Sequence, residues 1–210
     1  MLFRSPDLGP DIYRAAGRSV LVALAATTLT LVGALALSLR GGVLVALVGS
    51  LPLAASALVM GTGLFLLVFP FVNPVTVALP VTVGVNAVMA MPFALRLLSP
   101  AVADIRSDYG PLAANLALGS WATLRLVILP RLRKPLSFAA GLTMALSIGD
   151  LGVVALFATP AQETLPLAMY RLMGAYRMDA AAGAAVLLLF MALGAFWICD
   201  SRGQGDADAG

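Results

Sequence analysis

Long apolar runs separated by short polar ones set the pattern of this chain. The first run, Ser19–Leu39, carries no charge and ends at Arg40-Gly41-Gly42. A second lies within Val43–Phe69, with its membrane core from Leu51 onward. Pro52 there marks a possible helix start, because a first-turn residue needs no N–H for the helical ladder. A third runs from about Val77 to Leu98, with Pro70, Asn73 and Pro74 before it and Arg96 and Pro100 at its end. The fourth covers about Leu136–Phe157 and the fifth about Ala180–Ile198. A helix of ~20 apolar residues crosses a bilayer. The pattern therefore predicts an all-α, polytopic membrane bundle of about five spans. Residues 1–18 read as an N-terminal extramembrane segment and 19–199 as the transmembrane domain, interrupted by a loop at about 99–135. Residues 200–210 read as a disordered polar tail.

Composition strengthens this picture. Of 210 residues, 61% are hydrophobic and 11% charged, against ~25% charged in ordinary soluble domains. Mean hydropathy is +1.00. The basic residues are thinly spread and poor in aromatic neighbours, which argues against a nucleic-acid surface. The chain has no histidine and one cysteine, Cys199. An intrachain disulfide, the common zinc sites and a Ser-His-Asp or Cys-His catalytic set are thereby excluded. No G-x-x-x-x-G-K-[ST] element occurs, so no P-loop ATPase activity is expected. Neither a catalytic residue nor a cofactor or metal site is expected.

Arg96, Arg106, Arg125, Arg131, Arg133 and Lys134 crowd the segment between the third and fourth runs, against Asp104 and Asp108. The positive-inside rule places that segment in the cytoplasm. Alternation then puts the C-terminus inside, and the N-terminus and the 159–179 loop outside. Arg4, Arg14, Arg18, Arg171 and Arg177 fall on the outer side in this reading. Within the basic loop, Ile105, Leu112 and Leu116 fall near one helical face. After Gly119-Ser120, Trp121, Leu124, Ile128 and Leu132 follow helical spacing. Two short helices joined by a tight turn are predicted. They present either a docking face for a partner's groove or an amphipathic hairpin at the lipid interface.

Three polar residues interrupt the apolar runs. Asp150, between Gly149 and Leu151-Gly152, costs at least ~2.5 kcal/mol in a span unless it faces a cavity or a partner. It contacts a ligand, hydrogen-bonds neighbouring helices, or caps a break at the glycines. Asn86 and Ser147 are milder cases, suited to interhelical hydrogen bonds. Tyr170 and Tyr176 in the outer loop fit an interfacial aromatic belt.

The loop also resembles the EAA loop of type I ABC-importer permeases, whose pattern is Glu-Ala-Ala, three residues, Gly, nine residues, Ile, one residue, Leu-Pro. Aligned on Leu129-Pro130, this chain has Val127 at the Ile, Ala117 at the Gly, and Pro111-Leu112-Ala113 at Glu-Ala-Ala. The segments 51–69, 86–98, 146–157 and 164–189 resemble the C-terminal half of the thiamine ABC-transporter permease. Ser147-Ile148-Gly149-Asp150 and the Leu165-Pro166, Tyr170, Gly174, Tyr176-Arg177 series carry most of that likeness. The resemblance implies a multi-pass inner-membrane permease subunit of an ABC importer, for thiamine or its phosphates. It implies a separate ATPase docked on residues 104–135, with Ala113, Ala117, Gly119, Trp121, Arg125, Leu129 and Pro130 near the contact. Asn86, Ser147 and Asp150 are then candidates for the translocation path. Tyr170, Tyr176 and Arg177 are candidates for contact with a periplasmic substrate-binding protein. A second permease half is expected as partner, since family members usually carry two fused halves. The alternatives are a half for another small solute, such as ferric iron or a polyamine, and an inactive orphan half.

Overall fold

The computed structural model describes residues 10–208 except 55, 73–75, 153–154 and 156–161. Among these residues there is no strand. The chain forms α1 (Pro10–Arg40), α2 (Val43–Ser50), a 3-10 turn at Leu51–Ala54, α3 (Ala57–Val68) and α4 (Ala78–Asn115). A helical arm follows, made of α5 (Ser120–Thr123), a π turn at Leu124–Ile128, α6 (Leu129–Arg131) and α7 (Arg133–Ile148). Then come α8 (Leu165–Gly174) and α9 (Met178–Asp208).

Three helices are long and apolar enough to cross a membrane: Pro10–Arg40, Ala78–Asn115 and Met178–Gly203. A fourth crossing arises if Val43–Ala54 and Ala57–Leu67, bent by 95°, count as one broken span. The fourth expected span is shorter than the pattern indicates. Helix α7 has 16 residues, about 24 Å of rise, and stops at Ile148. Of the remainder of the 136–157 run, residues 153–154 and 156–157 lie outside the described residues.

Helix α7 nevertheless sits at the centre, packed on α9, α1 and α4. Small residues bring these helices together, as expected where lipid supplies no hydrophobic drive between them. Gly141 is the clearest case. A Cβ there would lie 3.0 Å from the Phe196 carbonyl oxygen and 3.2 Å from the Phe196 Cα, so the α9 backbone lies directly against α7. Edge-to-face packing of Phe138 on Phe196 continues the contact. Between α1 and α4, Ala34, Ala94, Leu95 and Leu98 form one buried cluster. Thr30 Oγ1 donates across that interface to the Ala87 carbonyl at 3.2 Å.

Two ends of the bundle are distinct. At one, Ile12 of α1 packs with Leu165 of α8 and Ala184 of α9. There Ser19 Oγ also accepts from the Leu165 N–H at 2.8 Å. At the other end, Val102, Ile128 and Leu132 cluster with Leu35 and Leu39.

Three expectations need correction. The basic loop is not a pair of short separate helices: α4 runs unbroken for 38 residues, through Pro92, Pro100 and Pro111. Its ~57 Å exceeds a ~30 Å hydrocarbon core, so its far end extends the span into a hairpin with the α5–α7 arm. Proline removes one ladder bond but does not end a membrane helix whose neighbours support it. Secondly, Leu112 and Leu116 are 54% and 63% exposed. The inward face carries Val102, Ile105 and Ala113 instead. Thirdly, residues 200–208 continue α9 and are not irregular. A helix already nucleated adds residues at little cost, even polar ones.

Candidate functional site

The three polar residues singled out above meet in one place, Asn86 lying far in sequence from Ser147 and Asp150. Asn86 and Ser147 are buried, at 5% and 8% exposure. They come from the third turn of α4 and the last turn of α7. Asp150 follows immediately after the Gly149 cap of α7. It therefore sits at a helix end and not inside a continuous helix, at the glycine break that was one of the alternatives for it. The Asn86 amide satisfies its neighbours when its oxygen accepts from Ser147 Oγ at 2.8 Å. Its nitrogen then donates to Asp150 Oδ2 at 2.9 Å and to the Thr82 carbonyl at 3.3 Å. The opposite orientation would face the amide oxygen toward the carboxylate, acceptor against acceptor. The Gly152 N–H donates weakly to Asp150 Oδ1 at 3.4 Å.

The broken second span supplies the remaining wall. Ser56 caps α3, its Oγ accepting from the Val59 N–H at 3.2 Å. A Cβ on Gly152 would lie 3.3 Å from Ala57 Cβ, and 3.6 Å from both the Leu58 nitrogen and Asp150 Oδ1. The first turn of α3 is thus next to the carboxylate. The positive end of a helix dipole favours an anion there. A cavity of ≈ 190 Å³ opens beside Asp150, lined also by Ala57, Met89, Ala90, Phe93 and Leu146. Discontinuous helices meeting polar groups in mid-bundle are a recurrent way to build a ligand site in transporters. Sequence reasoning missed Thr82 and the start of α3; the Ser56 cap was the available signal for the latter.

At the hairpin, Ala113 is buried at 6%, whereas Trp121 is 71% exposed. Ala117, Gly119, Arg125, Leu129 and Pro130 are exposed. Helix α4 ends with the Leu118 N–H bonded to the Ala113 carbonyl and the Ala117 N–H to the Ala114 carbonyl, both at 3.0 Å. This is a Schellman cap with Ala117 in its left-handed position, φ 50°. The family pattern has glycine here, and the backbone explains why: a Cβ in that conformation costs ~1–2 kcal/mol. Ala117→Gly is accordingly expected to stabilise the hairpin by ~1 kcal/mol. Slower amide exchange at Leu116–Leu118 is the readout, and unchanged exchange would refute this account. Beyond the turn, Pro130 has no N–H to continue the ladder. The helix shifts locally to a wider turn, with the Leu129 N–H bonded to the Leu124 carbonyl.

The outer-end candidates do not form one cluster. Tyr170 is 59% exposed on α8 and Tyr176 is 89% exposed. Tyr176 occupies a second left-handed cap, φ 57°, with the Arg177 N–H bonded to the Leu172 carbonyl at 3.0 Å. Arg177 shares a shallow cavity with Asp11, Glu163 and Arg171. Arg171 and Glu163 are ion-paired there at 2.5 Å. Among the described residues, no group of three His, Cys, Asp or Glu side chains is placed to hold a metal.

The fold and the mid-bundle polar site define an all-α polytopic membrane permease. The comparisons make the relation specific: this chain is a relative of the thiamine transport permeases. It is 40% identical over 160 residues to the thiamine transport system permease protein ThiP of Brucella abortus, covering 76% of this chain and 30% of that protein. Against ThiP of Salmonella typhimurium it is 35% identical over 202 residues, 91% of this chain and 38% of that protein. Against ThiP of Escherichia coli it is 34% identical over 193 residues, 87% and 36% respectively. No protein-family model matches. The chain spans about a third of the length of these curated relatives, in keeping with a likeness to one half of the permease. The apolar helices and these relatives make it a multi-pass inner-membrane protein. They do not favour the ferric-iron, polyamine or orphan readings.

Proposed function

We propose that this chain is the membrane-spanning permease subunit of an ABC importer that carries thiamine, or its phosphates, across the inner membrane. It acts as one half of the pathway and performs no chemistry of its own. The convergence of Asn86, Ser147 and Asp150 beside a cavity at two helix breaks carries this reading. Thiamine is an organic cation, and Asp150 is an anionic group prepared by donors that hold its carboxylate in place. The cavity, at ≈ 190 Å³, falls below the ~300–1,000 Å³ usual for an enclosed ligand. It has room for one ring of such a ligand, and a second permease half supplies the opposing wall.

Energy comes from a separate ATPase seated on the 104–135 hairpin, around Ala113, Ala117, Gly119, Trp121, Arg125, Leu129 and Pro130. The basic hairpin end faces the cytoplasm. Tyr170, Tyr176 and Arg177 lie at the opposite end, where a periplasmic substrate-binding protein delivers the ligand. Transport is alternating access: closure of the ATPase moves the hairpin, and the bundle exchanges outward for inward openings.

The test is purification of the tagged chain from its native membranes, followed by reconstitution of whatever complex is recovered. ATP-dependent accumulation of labelled thiamine in those vesicles is expected. Recovery of a folded chain with no ATPase and no second half would overturn the reading.

A further inference from the structure

The largest cavity described, ≈ 570 Å³, is not the polar site but a recess on the inner side of the hairpin. Its floor is apolar: Leu39, Ile105, Leu124, Val127 and Ile128. Leu39 is the last apolar residue of α1 before Arg40, so the recess opens where that span leaves the hydrocarbon. Its rim is cationic and aromatic. Arg106, Tyr109 and Trp121 line it, and the Arg131 guanidinium lies 3.8 Å over the Tyr109 ring centre. Among the described residues neither Arg106 nor Arg131 forms an ion pair, and no acidic residue lines the recess. Arg131 donates to the Val127 carbonyl at 3.2 Å. An apolar floor at the membrane edge, under an interfacial tryptophan and two arginines without acidic partners among the described residues, matches one kind of ligand. That ligand has acyl chains and a negative headgroup.

We infer that this recess holds one anionic phospholipid of the hairpin-side leaflet, its acyl chain on Leu39, Ile105 and Ile128 and its phosphate at Arg106 and Arg131. The alternative occupant is a segment of a docked protein. Leu112 and Leu116 provide such a partner with an exposed apolar face on the outside of the hairpin, apart from the residues that line the recess. The inference does not depend on the transport reading, since it needs only the membrane and this hairpin.

The test uses the chain's own tryptophans. There are two, Trp121 and Trp197, and Trp197→Phe leaves Trp121 as the sole reporter. The variant is placed in nanodiscs of phosphatidylcholine containing either brominated phosphatidylglycerol or brominated phosphatidylcholine. Phosphatidylglycerol is expected to quench Trp121 at much lower mole fraction. Arg106→Gln should raise the half-quenching mole fraction about fivefold, the contribution of one basic residue near an anionic surface. Equal quenching by both lipids would overturn the proposal, as would a phosphatidylglycerol preference untouched by both Arg106→Gln and Arg131→Gln. Trp121 emission insensitive to either lipid but shifted by a co-purified ATPase would assign the recess to protein docking instead.

Discussion

Asp150→Asn is expected to reduce thiamine uptake by the reconstituted complex on the order of a hundredfold at subsaturating ligand, with normal membrane insertion and normal thermal stability. Asparagine keeps the shape of aspartate and can still accept from the Asn86 amide, whose hydrogen bond to Oδ2 spans 2.9 Å. What it removes is the negative charge. Contacts to a charged group are worth ~1.5–3 kcal/mol, which sets the size of the effect. Ser147→Ala, by contrast, deletes one interhelical hydrogen bond worth ~0.6 kcal/mol on average and should be nearly silent in uptake. The comparison separates ligand recognition from scaffolding. If Asp150→Asn transports normally while Asn86→Ala fails to fold, the carboxylate serves only to tie α4 to α7. The assignment of a cation site would then be abandoned.

Gly141→Leu should have the largest effect on folding. The α9 backbone at Phe196 occupies the space a side chain would need, and a carbonyl oxygen and a Cα cannot rotate aside as a flexible side chain can. Overpacking of this kind costs ~1–3 kcal/mol for an added methylene or two, and leucine exceeds that. Loss of the monodisperse detergent-solubilised species is expected by fluorescence-detected size-exclusion chromatography. Gly141→Ala should retain that species with a lowered Tm. A leucine variant as stable as the parent would mean that α7 and α9 do not pack as described.

The sequence carries the long helices plainly, because charge-free runs such as 19–39 have no soluble explanation. It misplaces their ends for identifiable reasons. Pro100 read as the end of the third run, yet α4 continues through it and through Pro111, since a helix supported by its neighbours tolerates the lost bonds. Leu112 and Leu116 have helical spacing with Ile105, but a wide apolar arc leaves the buried side undetermined, and Ala113 proves to be the inward residue. The left-handed turns at Ala117 and Tyr176 had no local signal, because neither position is glycine. At the polar site, each residue was visible as an interruption of an apolar run. Their meeting was not, since the Asn86–Ser147 contact spans 61 positions and depends on how α4 and α7 pack. The start of α3 beside Asp150 depends on the Ser56 cap, whereas the apolar pattern marked a helix start only at Pro52.

Helix α4 links the two regions directly. Asn86 in its third turn and Ala113 near its end belong to one hydrogen-bonded helix, about 40 Å apart along its axis. A force at the tip therefore needs no loop to reach the polar cavity. The helix is not uniformly stiff, however. Pro92, Pro100 and Pro111 each leave the carbonyl four residues earlier without its ladder donor: Val88, Arg96 and Ser107. A sharp bend at those points sacrifices no hydrogen bond, whereas a sharp bend elsewhere weakens one. The helix behaves as a jointed lever, with one joint beside the cavity, one near the membrane edge and one near the tip. Under the transport function proposed above, thrust at the hairpin would be converted there into changes of direction at fixed places, and the hinge points of that stroke would be set by proline.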